Sequence, residues 1–386
     1  MDDLLTVGVM TGTSMDGIDA ALTIQPRPLP LPGPAAAERR PRLVAARHQP
    51  FEPDLRLALM ATASGKPCSL DDLGELEVRL AHAYADSVRA LLQEQAIDAA
   101  RVAVIGAHGQ TVCHRPGGRW PHTRQLLCAN TLAVALGRPV VADFRRRDMA
   151  LGGQGAPLAP IFHDVAFRQA QAEVAVLNLG GIANVTWLAP GRDALGFDTG
   201  PANVLMDGWI QRHRSLDFDR DGAWAASGCA CPRLLERLMA EPYFALPPPK
   251  STGREHFNLA WLDATLAAQA REATLPRAQD VQATLLELTV ESVAAALEGF
   301  PQAGSSHPAL HVCGGGAANG RLMQRLQERL PAWQVGSTEA VDLAPAWVEA
   351  AAFGYIAACT LLDQACSLPS VTGAARRALL GNVVWP

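Results

Sequence analysis

The sequence has no long uncharged apolar run, which argues against a membrane-spanning helix. No stretch without charged and turn residues reaches the ~18 residues that a span requires. The richest segment, 346–362, contains Glu349, Gly354 and Tyr355, and its pattern favours a buried amphipathic helix. The first residues, MDDLLTVGVM, carry two acids and no basic region, so they do not resemble a signal peptide. We therefore expect a cytoplasmic protein that is not anchored in a membrane.

Cysteine pairs with zinc-site spacing are also absent, although the chain contains eight cysteines. Cys229 and Cys231 form the only close pair. A chain of 386 residues can bury cores large enough to fold without disulfides. We interpret these thiols as ordinary reduced side chains, which again favours the cytosol.

Basic residues are not in excess, because the net charge is −5. Proteins that bind a nucleic-acid backbone usually present a basic face, so no nucleic-acid partner is expected. The short basic run 145–147 sits between Asp143 and Asp148. Neither GxxxxGK[ST] nor GxGxxG occurs, so a Walker or Rossmann phosphate site is not supported.

What the chain does contain is 49% hydrophobic residues over a length that suits about two domains. Two successive segments each combine a glycine-bearing β-hairpin with α/β structure, which predicts two similar α/β halves facing a cleft. A doubly wound single sheet is the alternative, but it explains the hairpins less well. We expect residues 1–142 with 347–386 to form domain I and residues 143–346 to form domain II. The prolines of Pro26–Pro41 predict a solvated insertion.

Hydrophobic periodicity and turn residues predict the individual elements. The expected strands are Leu4–Met10, Ile18–Gln25, Arg42–Gln49, Val102–Ala107, Pro139–Ala142, Glu173–Leu179, Ile182–Leu188 and Leu310–Val312. The expected helices are Ser69–Gln95, Asn130–Leu136, Pro201–Arg212, Val281–Phe300, Gly316–Leu330 and Ala344–Leu362. Ser69, three residues before Asp72, is a candidate N-terminal capping box. Regular structure is expected to be interrupted after Asp143.

The first glycine turn joins two predicted strands. Its residues are Gly12, Thr13, Ser14, Met15, Asp16, Gly17, Ile18 and Asp19. Glycine lets the backbone approach an anion closely, Thr13 and Ser14 add hydroxyl donors, and successive backbone N–H groups can surround a phosphate. Asp16 or Asp19 is a candidate ligand for a magnesium ion beside the phosphates. A plain hairpin turn, for which Asp-Gly is the commonest signal, accounts for the same residues.

Two further glycine turns lie in the second half. The first contains Asn178, Gly180 and Gly181 between two strands, and on its own it is equally well explained as a structural turn. Together with the first hairpin, however, it can hold a polyphosphate. The other, Gly314–Gly316, ends a strand, and backbone without side chains allows an adenine or ribose to lie close. A flexible strand-to-helix connection is the alternative there.

Asp198 follows a predicted strand in the sequence Phe-Asp-Thr-Gly-Pro and precedes a helix. A carboxylate in this position can act as a general base on water or a hydroxyl group. It can equally cap the helix. Asp207, on the helix itself, is interpreted as structural.

Polar residues also cluster where loops are expected. His108 and Gln110 follow a buried strand, which is a common place for substrate contacts in α/β folds. His108 can equally be a hydrogen-bonded core histidine. Asp143 and Arg146 lie in a mixed charged and glycine-rich stretch that can bind an anionic group, since arginine suits carboxylates and phosphates. Structural ion pairs are the alternative.

In chain order, these motifs resemble those of anhydro-N-acetylmuramic acid kinases. The resemblance is carried by GTSMDGID, GAHGQT, DFRRRD with ALGGQGAPL, LNLGGIAN, FDTGPAN and CGGGAAN, together with KSTGREHFN at 250–258 and LPSVTGA at 368–374. It extends from about residue 6 to the C-terminus. The proline-rich insertion and Arg212–Ser215 look unlike the family.

The resemblance implies two actin-like (ribonuclease H-like) domains around an ATP cleft, with ATP and Mg²⁺ as cofactors. It implies a cytoplasmic homodimer that cleaves the anhydro bond of 1,6-anhydro-N-acetylmuramic acid and phosphorylates O6. Gly12–Asp19 and Gly180-Gly181 would be phosphate loops, Gly314–Gly316 would face the adenosine, and Asp198 would be the base. Glu349 matches a position in the sugar site. Other sugar kinases and non-catalytic actin-fold ATPases are the alternatives.

Overall fold

The computed structural model describes residues 3–12, 15–272, 274–300 and 307–386. Within these ranges the strands are Leu4–Met10 (β1), Gly17–Gln25 (β2), Arg42–Pro50 (β3), Val102–Ala107 (β4), Gln110–Arg115 (β5), His122–Leu126 (β6), Val140–Ala142 (β7), Val174–Leu179 (β8), Ile182–Leu188 (β9), Leu195–Pro201 (β10), Ala309–Cys313 (β11), Gln334–Ser337 (β12) and Asn382–Val384 (β13). The helices are Pro53–Ala63 (α1), Leu70–Glu94 (α2), Ala129–Leu136 (α3), Arg146–Ala150 (α4), Ala159–Phe167 (α5), Asn203–Arg214 (α6), Ala223–Ala226 (α7), Pro232–Met239 (α8), Leu259–Ala270 (α9), Ala278–Glu298 (α10), Gly320–Arg329 (α11), Val348–Leu361 (α12) and Pro369–Thr372 (α13).

The chain divides into two units. Unit 1 comprises Met1–Arg168 and Trp347–Pro386, and unit 2 comprises Gln169–Ala346. Residues 143–168, which the sequence placed in the second domain, pack in unit 1. One reason is Asp148, whose buried carboxylate accepts hydrogen bonds from the Gly155 N–H at 2.8 Å and from the Thr372 hydroxyl at 2.6 Å. These bonds tie the segment to α13, near the C-terminus.

The two main sheets share one topology. In unit 1 the strand order is β3-β2-β1-β4-β7, extended at the edge by β13, and in unit 2 it is β10-β9-β8-β11-β12. Each begins with an antiparallel three-stranded meander. Each then adds two parallel strands beside the first strand of the meander. The predicted class of two similar, actin-like α/β domains is confirmed, and the single doubly wound sheet is excluded.

Helix α12 covers the sheet of unit 1, where β1 and β4 each present a glycine to it. A Cβ atom on Gly8 would lie 1.8 Å from the Ala350 carbonyl oxygen, and one on Gly106 would lie 2.0 Å from that of Phe353. These glycines are therefore required for close packing of helix on sheet. The predicted helix began at Ala344, whereas α12 begins at Val348, with Glu349 in its first turn. Among the described residues, no helix has the length and apolarity that crossing a bilayer requires.

The proline-rich stretch 26–41 is largely exposed or half-buried, as predicted for a solvated insertion, but part of it is packed against unit 1. It contains no helix or strand, yet Leu29 is buried. Its carbonyl groups accept hydrogen bonds from unit 1: Tyr355 Oη donates to Pro30, and Arg377 donates to Pro32 at 2.7 Å. Proline has no N–H to donate, but its carbonyl remains an acceptor, so side-chain donors hold this irregular chain in place.

Several predicted boundaries differ from the structure. The stretch after Asp143, expected to be irregular, contains the short helix α4. Pro201 lies in β10, and α6 begins two residues later at Asn203. Between β11 and α11 the three glycines lead into a turn of 3₁₀-helix, Gly315–Ala318, and not directly into the α-helix. The capping box at Ser69 and Asp72 is confirmed, since each side chain bonds the other's backbone N–H.

Candidate functional site

In unit 1, the glycine turn after β1 and the loop after β4 are bound to each other. Thr11 Oγ1 donates to the Gly109 carbonyl at 3.1 Å, and Gln110 Nε2 donates to the Gly12 carbonyl at 3.4 Å. The buried hydroxyl of Tyr84, from α2, lies 2.9 Å from Thr11 Oγ1. Two regions that the sequence singled out separately thus lie together at the C-terminal ends of the neighbouring strands β1 and β4.

Gln110 is fully buried and has one unsatisfied atom. Its Nε2 donates to two backbone carbonyls, those of Gly12 and Thr111, which settles the orientation of the amide. Its Oε1 is buried and has no hydrogen-bond partner in the described part of the chain. A buried acceptor without a donor costs about 1–3 kcal/mol, so this atom is suited to receive a hydrogen bond from a ligand.

The predicted phosphate turn contains residues with different environments. Thr13 and Ser14 lie outside the described residues. The side chains of Met15 and Ile18 are buried in the core of unit 1, so only their backbone is available to a ligand. Gly17 is needed for packing, because a Cβ atom there would lie 2.4 Å from the Gln49 carbonyl oxygen.

Asp16 and Asp19 are the candidate metal ligands. Asp16 is exposed, while Asp19 is partly buried and its Oδ1 lies 2.7 Å from His48 Nδ1. Burial raises the pKa of Asp19, against the effect of His48, and the nearby Asp16 raises it further. The described residues contain no group of three or more His, Cys, Asp or Glu side chains suited to a metal ion. Two carboxylates whose charges interact nevertheless fit Mg²⁺, which commonly uses one or two carboxylates together with water and substrate phosphates.

His108 is buried and uses both ring nitrogens within the protein. Nδ1 lies 2.8 Å from the Gly109 carbonyl oxygen, and Nε2 lies 3.0 Å from Nε of Arg145. Because arginine can only donate, Nε2 accepts and the proton sits on Nδ1. Burial and the neighbouring Arg145 charge hold the pKa of His108 well below its usual value. The alternative of a hydrogen-bonded core histidine therefore fits this geometry.

Arg145 is the side chain that His108 orients, and the sequence did not single it out as a site residue. Its Nη1 also donates to the Gly155 carbonyl at 2.9 Å. The predicted Arg146 is exposed and lies 3.4 Å from Asp143 in an ion pair. Burial raises the pKa of Asp143, against the attraction of Arg146. Glu349 is half-buried in the first turn of α12, in the same unit.

In unit 2, the Gly180-Gly181 turn is bound to the start of α6. The backbone N–H of Asn203 donates to the Gly180 carbonyl at 3.1 Å, and that of Ala202 donates to the Gly181 carbonyl at 3.0 Å. The Asn203 side chain donates to the Leu179 carbonyl at 3.1 Å. These hydrogen bonds fix the position of the turn relative to the start of α6.

The second glycine turn of unit 2 packs beside the first. Gly314 has a positive φ of 78°, and a Cβ atom there would lie 2.3 Å from Asn178 Oδ1. Gly180 and Gly315 differ from it, since neither has a positive φ. A Cβ atom on Gly180 would have only the Ile182 carbonyl oxygen within contact, at 3.6 Å, and one on Gly315 would meet nothing within 4 Å. Neither glycine is required by packing in the described structure, and both leave backbone open to a ligand.

Asp198 lies within β10, opposite Asn184 of β9, and not at a strand end as predicted. It does not cap α6, because the N-cap residue is Ala202. Asp198 is 8% exposed, and its Oδ2 accepts hydrogen bonds from Ser251 Oγ and from the Thr252 N–H, both at 3.0 Å. Ser251 and Thr252 lie in the KSTGREHFN motif, but no role had been assigned to them. Their place beside Asp198 was not evident from the sequence, since more than 50 residues separate them.

The family profile described as anhydro-N-acetylmuramic acid kinase matches residues 4–386. The chain belongs to this family. A protein of Vibrio cholerae serotype O1 named anhydro-N-acetylmuramic acid kinase is 44% identical over 382 residues, covering 99% of this chain and 98% of its own. A Coxiella burnetii protein of the same name is 42% identical over 381 residues, covering 98% and 97%. The membership that the motifs indicated is confirmed.

Solved structures of other proteins are similar at a lower level. The activator of the 2-hydroxyisocaproyl-CoA dehydratase from Clostridium difficile with bound ADPNP is 9% identical, covering 93% of this chain and 96% of its own, with a TM-score of 0.43. A ROK family glucokinase from Streptomyces griseus in complex with glucose and AMPPNP is 16% identical, covering 92% and 98%, with a TM-score of 0.38. The assignment to the anhydro-N-acetylmuramic acid kinase family does not depend on them.

Proposed function

We propose that this chain is an ATP-dependent kinase that acts on 1,6-anhydro-N-acetylmuramic acid. It hydrolyses the 1,6-anhydro bond and phosphorylates O6, giving N-acetylmuramic acid 6-phosphate and ADP in peptidoglycan recycling. The observation that carries the proposal is the buried carboxylate of Asp198, held by two donors in a chain of this family. We further propose that the enzyme is a cytoplasmic homodimer.

Asp198 is the proposed general base. A water molecule attacks C1 of the anhydro sugar while Asp198 takes its proton. The C1–O6 bond breaks, and O6 attacks the γ-phosphate of ATP. The developing alkoxide needs no separate acid, because the phosphoryl group captures it, so one carboxylate base is sufficient.

The glycine turns are the proposed sites for the nucleotide. Backbone N–H groups of Gly12–Asp19 and of Gly180-Gly181 would bind phosphate oxygens and stabilise charge that develops during transfer. The open approach to Gly180 and Gly315 supports this assignment, and Gly314–Gly316 would face the adenosine. Asp16 and Asp19 would hold Mg²⁺, which supplies charge neutralisation at the phosphates when bound.

The sugar would be bound by polar groups near the C-terminal ends of β1 and β4 in unit 1. The unsatisfied Oε1 of Gln110 is suited to accept from a sugar hydroxyl or amide group. N-acetylmuramic acid carries a carboxylate, for which an arginine is the natural partner. We propose that Arg145, which His108 holds in place, contributes to that recognition. The remaining proposed substrate contacts are Asp143, Arg146, Asn178 and Glu349.

The test is a reaction with ATP, Mg²⁺ and 1,6-anhydro-N-acetylmuramic acid in ¹⁸O-labelled water. Label at C1 together with phosphate on O6 is the expected result. N-acetylmuramic acid, the free sugar, is the comparison substrate, and equal or better phosphorylation of it would favour an ordinary sugar kinase. Asp198→Asn should nearly abolish turnover and leave ATP binding intact. Substantial residual turnover by that variant would rule out Asp198 as the base.

A further inference from the structure

We infer that Ser251 and the backbone of Thr252 are positioning groups that aim the Asp198 carboxylate and keep it ionised. This inference rests on the proposed function, because it assigns a role relative to the proposed base. Ser251 and Thr252 belong to KSTGREHFN, a motif that the mechanism above does not use.

Both donors converge on one oxygen atom of Asp198. Ser251 Oγ and the Thr252 N–H each lie 3.0 Å from Oδ2. Two donors on one oxygen restrict rotation of the carboxylate about its last bond. Because hydrogen bonds donated to a carboxylate favour its charged form, they also lower its affinity for a proton. A general base must be ionised before it can accept a proton, so this arrangement keeps Asp198 ready for the reaction.

The backbone of Asp198 is hydrogen-bonded to the same segment of chain, 243–252. Its N–H donates to the Lys250 carbonyl at 3.2 Å, and its carbonyl accepts from the Tyr243 hydroxyl at 2.7 Å. Lys250 Nζ in turn donates to the carbonyls of Tyr243 and Phe244, at 3.3 and 3.1 Å. The segment 243–252 therefore contacts both the backbone and the side chain of Asp198. The ammonium group of Lys250 donates to carbonyls within this segment.

Strand β10 is irregular next to Asp198. The pairing of β10 with β9 is regular through Asp198, opposite Asn184, and then shifts before Gly200. Such an irregularity kinks a strand and re-aims the side chains next to it. The Ser251 and Thr252 donors contact the Asp198 carboxylate beside this register shift and so help to fix its orientation.

The experiment compares the pH dependence of kcat in the wild type, Ser251→Ala and Ser251→Thr, with saturating ATP, Mg²⁺ and anhydro sugar. Losing the Ser251 donor to the charged form should raise the acidic limb of the profile by about one pH unit. At pH values below that limb, kcat of Ser251→Ala should fall about tenfold, with the KM for ATP unchanged. Ser251→Thr keeps the hydroxyl and should restore the wild-type limb.

Ser227→Ala is the matched control, because it also removes one serine hydroxyl of unit 2 that donates a hydrogen bond, here to Trp224. This variant should leave the profile unchanged. The inference is overturned if Ser251→Ala keeps the wild-type limb, or if Ser251→Ala and Ser251→Thr lose activity equally at every pH. Asp198→Asn separates the two claims: if it remains active, the proposed base is wrong, whereas an inactive Asp198→Asn with an unshifted Ser251→Ala refutes only the positioning role.

Discussion

Arg145 donates its Nε–H to Nε2 of His108 across 3.0 Å, while the other ring nitrogen of His108 faces the Gly109 carbonyl at 2.8 Å. The ring therefore carries its proton on Nδ1 and presents a lone pair to the arginine. Burial and the Arg145 charge hold the pKa of His108 well below its usual value, so the ring is neutral at physiological pH. His108 can orient the guanidinium, but it cannot act as an acid there.

Replacing His108 by Leu should weaken the positioning of Arg145, because the variant removes the acceptor for its Nε–H while the bond from Nη1 to Gly155 remains. We expect kcat/KM for the anhydro sugar to fall about 10–100-fold, and the KM for ATP to change little. His108→Gln offers a carbonyl acceptor and should recover part of the loss. Steady-state kinetics with each substrate varied separately would measure both effects.

His82→Leu, at an exposed position on α2, is the control and should behave like the wild type. The interpretation would be contradicted by normal sugar kinetics in His108→Leu. It would also be contradicted if that variant lost a pH limb that the wild type shows between pH 5 and 8, since a neutral His108 does not titrate in that range.

Gly180 and Gly315 are expected to tolerate alanine structurally and to lose nucleotide affinity. A Cβ atom on either would meet no atom of the described residues closer than 3.6 Å, so the thermal stability of the variants should stay near that of the wild type. If the backbone at these positions lies against ATP, the added methyl group should raise the KM for ATP about tenfold or more. Thermal unfolding and ATP kinetics would measure the two properties independently.

Two other glycines provide controls for this prediction, one in open space and one in a crowded position. Gly336→Ala, in β12, also enters open space and should change neither property. Gly314→Ala places a Cβ atom 2.3 Å from Asn178 Oδ1 at a positive φ, so it should lower stability by about 1–3 kcal/mol. Unchanged ATP kinetics in both Gly180→Ala and Gly315→Ala would count against nucleotide binding at these turns.

Local sequence patterns predicted the framework well, because strand and turn signals depend on neighbouring residues. The strands Leu4–Met10, Val102–Ala107 and Ile182–Leu188 were predicted with the observed bounds. Repetition of a glycine hairpin followed by α/β structure was enough to predict two similar halves. Elements without a clear period were missed, such as the hairpin β5–β6, whose strands mix polar, charged and apolar residues.

The polar partnerships could not be predicted in the same way, since they join residues that are distant in sequence. Ser251 reaches Asp198, and Thr372 reaches Asp148, only through the folded chain. Among the arginines 145–147, the sequence offers no reason to prefer one. Burial and the His108 acceptor distinguish Arg145, and both are properties of the fold.

His163 should make unit 1 sensitive to acid. It is fully buried in α5, and burial lowers its pKa to about 3. The unfolded chain therefore binds a proton near pH 6.5, whereas the folded chain does not, so stability falls as the pH drops below 6.5 and towards 3. The expected loss between pH 6.5 and pH 5 is about 2 kcal/mol.

His163→Leu removes this group and should flatten the fall in thermal stability between pH 6.5 and pH 5. His82→Leu should not flatten it, because the His82 side chain is exposed. The same slope in His163→Leu and the wild type would show that His163 does not account for the acid sensitivity.

Asp207 of α6 should give stability the opposite pH dependence to that of His163, with a loss as the pH rises. Its pKa is raised to about 7, mainly by burial; the charge of Arg254 lowers the pKa, while the nearby Asp219 and Asp217 act in the same direction as burial. Between pH 3.8 and about 7, the folded state therefore keeps a proton that the unfolded state has released. The contribution of Asp207 to the free energy of unfolding falls as the pH rises through this range, and it is lowest above pH 7. Asp207→Asn, which is neutral at every pH, should raise the melting temperature relative to the wild type at pH 8.

The difference between Asp207→Asn and the wild type should shrink at pH 5, where the wild-type carboxyl is protonated in the folded state. After allowance for partial exposure, the expected gain at pH 8 is on the order of 2 kcal/mol. Arg254 provides the opposing possibility, since an ionised Asp207 paired with it would stabilise unit 2. Lower stability of Asp207→Asn at pH 8 would mean that this attraction exceeds the cost of burying the charge, and Arg254→Gln should then be destabilising as well. A gain at pH 8 that is clearly smaller at pH 5 would establish that the surroundings of Asp207 raise its pKa in the folded state.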